Sequence, residues 1–320
     1  MIRKYGYFLA VSVLTFSSFQ ALAAETWRLE KGRQWKAVTD DADSRYVLEI
    51  SKFKRLVDEG EAEQAEQAAD TLKKEFAQIA GADFDSFVKA ELLFARGSFS
   101  KALKAYDEFL DTYPASALYE SAMEREYLIG QAFLGGEKHR VLKLFRIKGY
   151  AEGAGIMERL AERAGDAPLS QRAMVAVAQS FERRGKWHDA YDQWNDISAR
   201  WPTGQLGQQA LLNMAQTIHA AYQGPRYDSA LLLSAKSYYE QYKLRYPQNA
   251  FEIGVDSRLE QIEEQLAYKQ FMIGRYYDRT GSMQAAELYY EMILNKWPTS
   301  VAAKNIRRLK MEKQLEGAKK

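Results

Sequence analysis

Four of the six prolines follow a large aromatic residue, at Tyr113-Pro114, Trp201-Pro202, Tyr246-Pro247 and Trp297-Pro298. The residues before each of the four agree at fixed distances. Twelve before the proline stands Ala102, Ala190, Ala235 or Ala286. Eight before stands Tyr106, Trp194, Tyr239 or Tyr290, and five before stands Phe109, Ile197, Tyr242 or Ile293. Successive gaps of four, three and four put these side chains on one face of a helix. The alanine allows a neighbouring helix to come close, and the larger residues fill the space one and two turns later. Proline then ends the helix and pushes its predecessor out of the α region. Seventeen before the proline, Gly97, Gly185 and Gly281 supply a turn, with Ala230 in the fourth copy.

A second helix precedes that turn. In three copies a small residue stands twenty-four before the proline (Ala90, Ala178, Gly274) and a large one twenty-one before (Leu93, Phe181, Tyr277). The combined pattern resembles the tetratricopeptide repeat, a 34-residue helix–turn–helix. Each pair leaves an apolar face that the next pair covers. The expected fold class is therefore all-α, a right-handed α-solenoid of such repeats.

Two further units are less regular. Phe53, Leu56, Gly60, Ala65, Ala69, Leu72 and Phe76 fit the frame without a proline. Another begins at Gly130 and Phe133, and its glycines (135, 136, 149, 153 and 155) suggest a broken connection, with the helix restarting near Met157. In the unit ending at Pro247, Ala215 and Ala235 imply an eight-residue insertion around Gly224-Pro225. This gives about six units over residues 45–310.

The termini lie outside the repeat pattern. Residues 1–23 have Arg3 and Lys4, then an apolar run, then Ala21-Leu22-Ala23, the pattern of a cleaved export signal. Residues 24–44 carry Trp27 and Trp35 and are expected as a strap packed on the first repeat, with a partner-binding arm as the alternative. Residues 311–320 form a basic tail. Without residues 1–23 the chain carries 43 basic and 43 acidic residues, which argues against general nucleic-acid binding. Zero cysteines exclude disulfides, thiol catalysis, cysteine-bound metals and acylation on a cysteine.

The repeats, their order and the export signal together resemble the BamD family of outer-membrane-protein assembly factors, over about residues 25–310. The aromatic-proline helix ends, the loop Tyr222-Gln223-Gly224-Pro225-Arg226-Tyr227-Asp228 and the leading Trp27-Arg28-Leu29-Glu30-Lys31-Gly32-Arg33-Gln34-Trp35 carry the likeness. The resemblance implies a periplasmic scaffold. Its N-terminal repeats would receive unfolded β-barrel precursors, and its C-terminal repeats would dock a β-barrel insertase. Members usually carry a lipobox cysteine, which Ala21-Leu22-Ala23-Ala24 lacks, so no covalent lipid anchor is expected and attachment to the outer membrane would run through partners.

No catalytic, cofactor or metal constellation is evident. His139, His188 and His219 fall in different units, and Glu124 and Glu126 stand two apart on a helix and cannot form an acid–base pair. The candidate site is the groove that first helices line in such repeats. Its candidate residues are Lys54 in the first unit, Phe84, Phe87, Glu91 and Phe94 in the second, Tyr127 and Gln131 in the third, and Arg172 and Gln179 in the fourth. The three phenylalanines either line an open groove or pack on neighbouring helices. A second candidate surface is the last helix, about 301–315, with Lys304, Arg307, Arg308 and Lys310. An adaptor for cell-division or peptidoglycan machinery is the alternative function. The superhelical part of a lytic enzyme fits least, because no length remains for a catalytic domain.

Overall fold

The computed structural model describes residues 27–29, 35–37, 42–79, 81–141 and 145–317. The export segment expected over 1–23 lies outside these residues. Two compact units are present, one ending at Gly81 and one starting at Ala82.

In the first unit, β1 (Trp27–Leu29) pairs antiparallel with β2 (Trp35–Ala37), Leu29 facing Trp35 across the ladder. Within the segment expected as a strap, the two described strands thus pair with each other. Gly32 sits between them in sequence. Two helices follow, α1 (Ala42–Asp58) and α2 (Ala62–Glu75). Gly60 turns the chain between them at φ 81°. Phe53, Leu56, Ala65, Ala69, Leu72 and Phe76 are all buried, as their place in the repeat frame requires.

The second unit is a succession of helices: α3 (Ala82–Ala95), α4 (Phe99–Thr112), α5 (Tyr119–Leu134), α6 (Tyr150–Ala164), α7 (Pro168–Arg183), α8 (Trp187–Arg200), α9 (Gly204–Ala220), α10 (Ala230–Arg245), α11 (Pro247–Glu252), α12 (Val255–Arg279), α13 (Met283–Lys296) and α14 (Val301–Gly317). Antiparallel neighbours pack as pairs, α3 on α4, α5 on α6, α7 on α8, α9 on α10 and α12 on α13. This is the expected all-α array of tetratricopeptide-type helix pairs. Among the described residues no helix is long and apolar enough to cross a membrane.

The frame explains the core. Ala102, Ala190, Ala235 and Ala286 are buried, as are Tyr106, Trp194, Tyr239 and Tyr290 and the third set Phe109, Ile197, Tyr242 and Ile293. Before the turn of α3, Ser98 N–H bonds the Leu93 carbonyl and Gly97 takes φ 64°. The same wrap closes α7 (Lys186 to Phe181) and α12 (Ser282 to Tyr277), so the recurring glycine spacing marks a Schellman ending. The residues before the four prolines share one extended cap geometry, φ −124° to −135° and ψ 57° to 76°. Phe76, which Ala77 follows, has φ −126° and ψ 70°. Packing at the helix end therefore sets this conformation, and proline accommodates it.

The third unit departs from the sequence expectation. Its connection is a hairpin, β3 (Lys138–Val141) against β4 (Phe145–Lys148), and α6 begins at Tyr150 rather than near Met157. Gly153 and Gly155 lie inside this helix. A Cβ on Gly153 would stand 2.8 Å from the Leu134 nitrogen and 2.9 Å from the Gly130 oxygen, so this glycine permits close approach of α5 and α6 instead of breaking a helix. Gly153, Met157 and Leu160 keep the four–three spacing of the frame.

Candidate functional site

The structure divides the candidate groove residues. Phe84 and Phe87 are core residues, 6% and 4% exposed. Phe87 packs edge-on against Tyr106 and Phe109 at 6.1 and 5.7 Å. Glu91 is 1% exposed, and its carboxylate accepts from Arg125 Nε at 2.8 Å, Arg125 Nη2 at 2.9 Å and the Tyr106 hydroxyl at 2.6 Å. These three residues do not line an open groove. The face of α3 that carries them is covered by α4 and by Arg125 from α5. Phe94 is half-buried between Phe99 (5.4 Å) and the Arg125 guanidinium (4.8 Å).

Of the candidate residues on α5 and α7, those that stay open are polar, although Leu128 of α5 is also exposed. Arg172 lies 4.3 Å over the buried Tyr127 ring and donates to Glu124 at 2.6 Å. Gln131 donates to the Tyr127 hydroxyl at 2.8 Å, and Gln131 and Gln179 face solvent. Glu124 holds Arg172 more firmly protonated than a free guanidinium. Lys54 is exposed on α1 in the other compact unit.

Glu126 does turn away from Glu124, but into a junction that the sequence did not signal. Arg163 on α6 reaches Glu126 on α5 at 3.3 Å and Asp107 and Asp111 on α4 at 3.3 and 2.9 Å. Burial pushes the Glu126 carboxyl up to about 8. The Asp107 charge adds to this and the Arg163 and Arg159 charges oppose it. At 3% exposure the carboxyl faces no open cleft, and the cluster ties three helices together.

His188 is exposed, and the His139 side chain lies outside the described residues. His219 is half-buried, 2.9 Å from Gln265 Oε1, and burial lowers its pKa. No group of three metal-ligating side chains occurs among the described residues.

An open feature of the described residues lies at the C-terminal repeats. α12 has 25 residues where the other repeat helices have 14 to 17, so its first turns run past the end of α13. They form the floor of a trench of about 1010 Å³, walled by α10 and by the turn Lys296–Ser300. Its lining holds five carboxylates (Glu240, Asp256, Glu260, Glu263, Glu264) and three ammonium groups (Lys236, Lys243, Lys296). Lys236 and Lys243 cross from α10 to Glu263 (2.6 Å) and Asp256 (2.5 Å). Trp297 donates its indole N–H to Glu263 at 2.5 Å while Lys296 sits 4.7 Å over its ring. Glu264 accepts from the Val301 N–H at 3.1 Å, capping α14. The visible sequence signal is the 51-residue gap from Pro247 to Pro298, too long for one repeat.

The α14 surface is partly committed. Lys304, Arg307 and Arg308 are exposed, Arg308 within 3.9 Å of Glu312. Lys310 instead pairs with Glu287 of α13. Val301, Lys304, Arg308, Met311 and Leu315 share the outer face of the helix, and the three apolar residues among them are exposed.

No protein-family model and no curated protein matches the chain. It is similar to the solved structure of PilW, described as a widely conserved type IV pilus biogenesis factor, at 16% identity over 82% of this chain and 97% of that one, with TM-score 0.30. A TPR repeat-containing protein from Cytophaga hutchinsonii, of which the C-terminal part was solved, aligns at 16% identity over 83% and 86%, TM-score 0.38. A tetratricopeptide repeat protein from Parabacteroides merdae aligns at 11% over 83% and 98%, TM-score 0.34.

Proposed function

We propose that the protein is an exported, non-catalytic scaffold that holds protein partners during assembly of outer-membrane β-barrel proteins, in the manner of the BamD family it resembles. The observation that carries this reading is the open trench beside α12, with the exposed face of α14 following its wall. A trench open along its length suits a protein segment better than a small substrate, which is held in an enclosing pocket. The two buried carboxylates among the described residues, Glu91 and Glu126, are both sealed among helices and held by arginines, away from any substrate. The repeat array supplies rigid spacing between partner sites. On this reading the protein resides in the periplasm, held at the outer membrane through its partners.

The test is a crosslinking pull-down from envelope membranes, with wild type compared against a double reversal, Arg307→Glu with Arg308→Glu. Capture of a β-barrel insertase by wild type, and its weakening in the variant, would support the reading. Recovery of division or peptidoglycan proteins in its place would favour the adaptor alternative.

A further inference from the structure

We propose that the trench takes an extended, cationic segment of a partner protein, laid along α12 with lysine or arginine at alternate positions. The inference rests on the scaffold reading in one respect, that the occupant is a protein.

The first argument is spacing. Asp256, Glu260 and Glu264 stand four residues apart on α12 and all line the trench. A helix rises about 1.5 Å per residue, so these carboxylates recur at roughly 6 Å. A strand advances about 3.3 Å per residue, so alternate side chains on one edge recur at roughly 6.6 Å. A strand running along α12 therefore meets a carboxylate at each second residue, Glu260 and Glu264 without an ion pair and Asp256 shared with Lys243.

The second argument is charge. Two ammonium groups of the trench are ion-paired, Lys236 with Glu263 and Lys243 with Asp256, while Lys296 lies over the Trp297 ring and makes no ion pair among the described residues. Glu260 is exposed and makes no ion pair among the described residues. Glu264 accepts from the first N–H of α14, whose helix dipole offsets part of its charge, and makes no ion pair among the described residues. Like charges four apart on a helix repel by a few tenths of a kcal/mol. An incoming cation would relieve that repulsion at Glu260 and Glu264. The third argument is shape. The trench is unroofed, and its Trp297 wall offers an aromatic surface against which aliphatic stems of lysine or arginine can lie.

The experiment uses the full chain and three probes: a labelled eight-residue peptide of alternating Lys and Thr, its Glu/Thr counterpart, and spermine as competitor. Wild type should bind the Lys/Thr peptide and not the Glu/Thr peptide, and salt should weaken the binding. Glu260→Lys should weaken it by about tenfold, the scale of one charge contact. Lys296→Gln removes a repelling cation and should tighten it severalfold, a gain that misfolding cannot imitate. Circular dichroism of each variant checks the fold. Absence of Lys/Thr binding, equal affinity in wild type and Glu260→Lys, or displacement by spermine at equal charge would each overturn the proposal. Failed peptide binding with successful envelope capture sinks the trench assignment and leaves the scaffold reading standing. Peptide binding without envelope capture does the reverse.

Discussion

Arg125 on α5 grips Glu91 on α3 through two guanidinium nitrogens, at 2.8 and 2.9 Å, and the two residues stand 34 positions apart, one repeat period. The same step in consecutive repeats thus carries opposite charges that meet where first helices pack. Tyr106 completes the site by donating to the same carboxylate.

Breaking this pair from one side should be costly. Glu91→Leu leaves a guanidinium buried without its partner and should lower stability by about 3–5 kcal/mol. The double change Glu91→Leu with Arg125→Met should recover much of that loss, since apolar replacement of a buried pair is often neutral. Urea unfolding of wild type and the two variants measures both numbers. Equal losses for the single and the double variant would show that the pair is not coupled.

The same helix face predicts the fate of Phe87. Phe87→Ala should cost about 3–5 kcal/mol, the usual range for removing a buried phenylalanine. It should leave binding of the Lys/Thr peptide unchanged in the folded fraction, because the ring touches Tyr106 and Phe109 and faces no trench.

Glu126 should give the protein an alkaline sensitivity. Its carboxyl titrates near 8 in the fold, against about 4.5 for an ordinary glutamate. Stability from the protonated form is full below the ordinary value and declines as pH rises toward 8, where the folded state at last ionises. The charges facing it are Asp107 and Asp111 on α4 and Arg159 and Arg163 on α6. His219, whose pKa is lowered by burial, acts in the opposite sense and only as pH falls through its ordinary value of 6.5. The difference in melting temperature between wild type and Glu126→Gln from pH 6.5 to 8 therefore isolates Glu126, since His219 contributes equally to both. Wild type should lose stability across that window, and Glu126→Gln should show a flatter profile.

Ala190 tests the repeat frame directly. It is fully buried where α8 meets its neighbours, and Ala190→Trp should overpack that contact at a cost of about 1–3 kcal/mol or more. Lys186→Ala, exposed at the start of the same helix, should change stability by less than about 0.5 kcal/mol. Equal melting temperatures would contradict the frame.

The frame was legible because proline, glycine and alanine each have a narrow physical use. Pro114, Gly97 and Ala102 mark an end, a turn and a close approach without reference to the rest of the fold. Periodicity also showed that Phe84, Phe87 and Glu91 share a face. It did not show that the face is covered, because the covering groups, Tyr106 and Arg125, arrive from α4 and from the next repeat. The hairpin between α5 and α6 was hidden behind glycines that have a second use, since Gly153 serves helix contact as well as any turn would. The trench was hidden because α12 simply continues a good helical sequence, and nothing local in Asp256 or Glu260 says that α13 ends short of them.

The length of α12 also bears on how the array comes apart. Most helices here meet only their chain neighbours, so unfolding can advance one pair at a time from an end. α12 packs on α10, α13 and α14 together. Strain applied at the C-terminus, such as thermal fraying, is therefore shared across all four helices. Hydrogen exchange in α10, α12, α13 and α14 should report one cooperative opening, a block that yields together or holds.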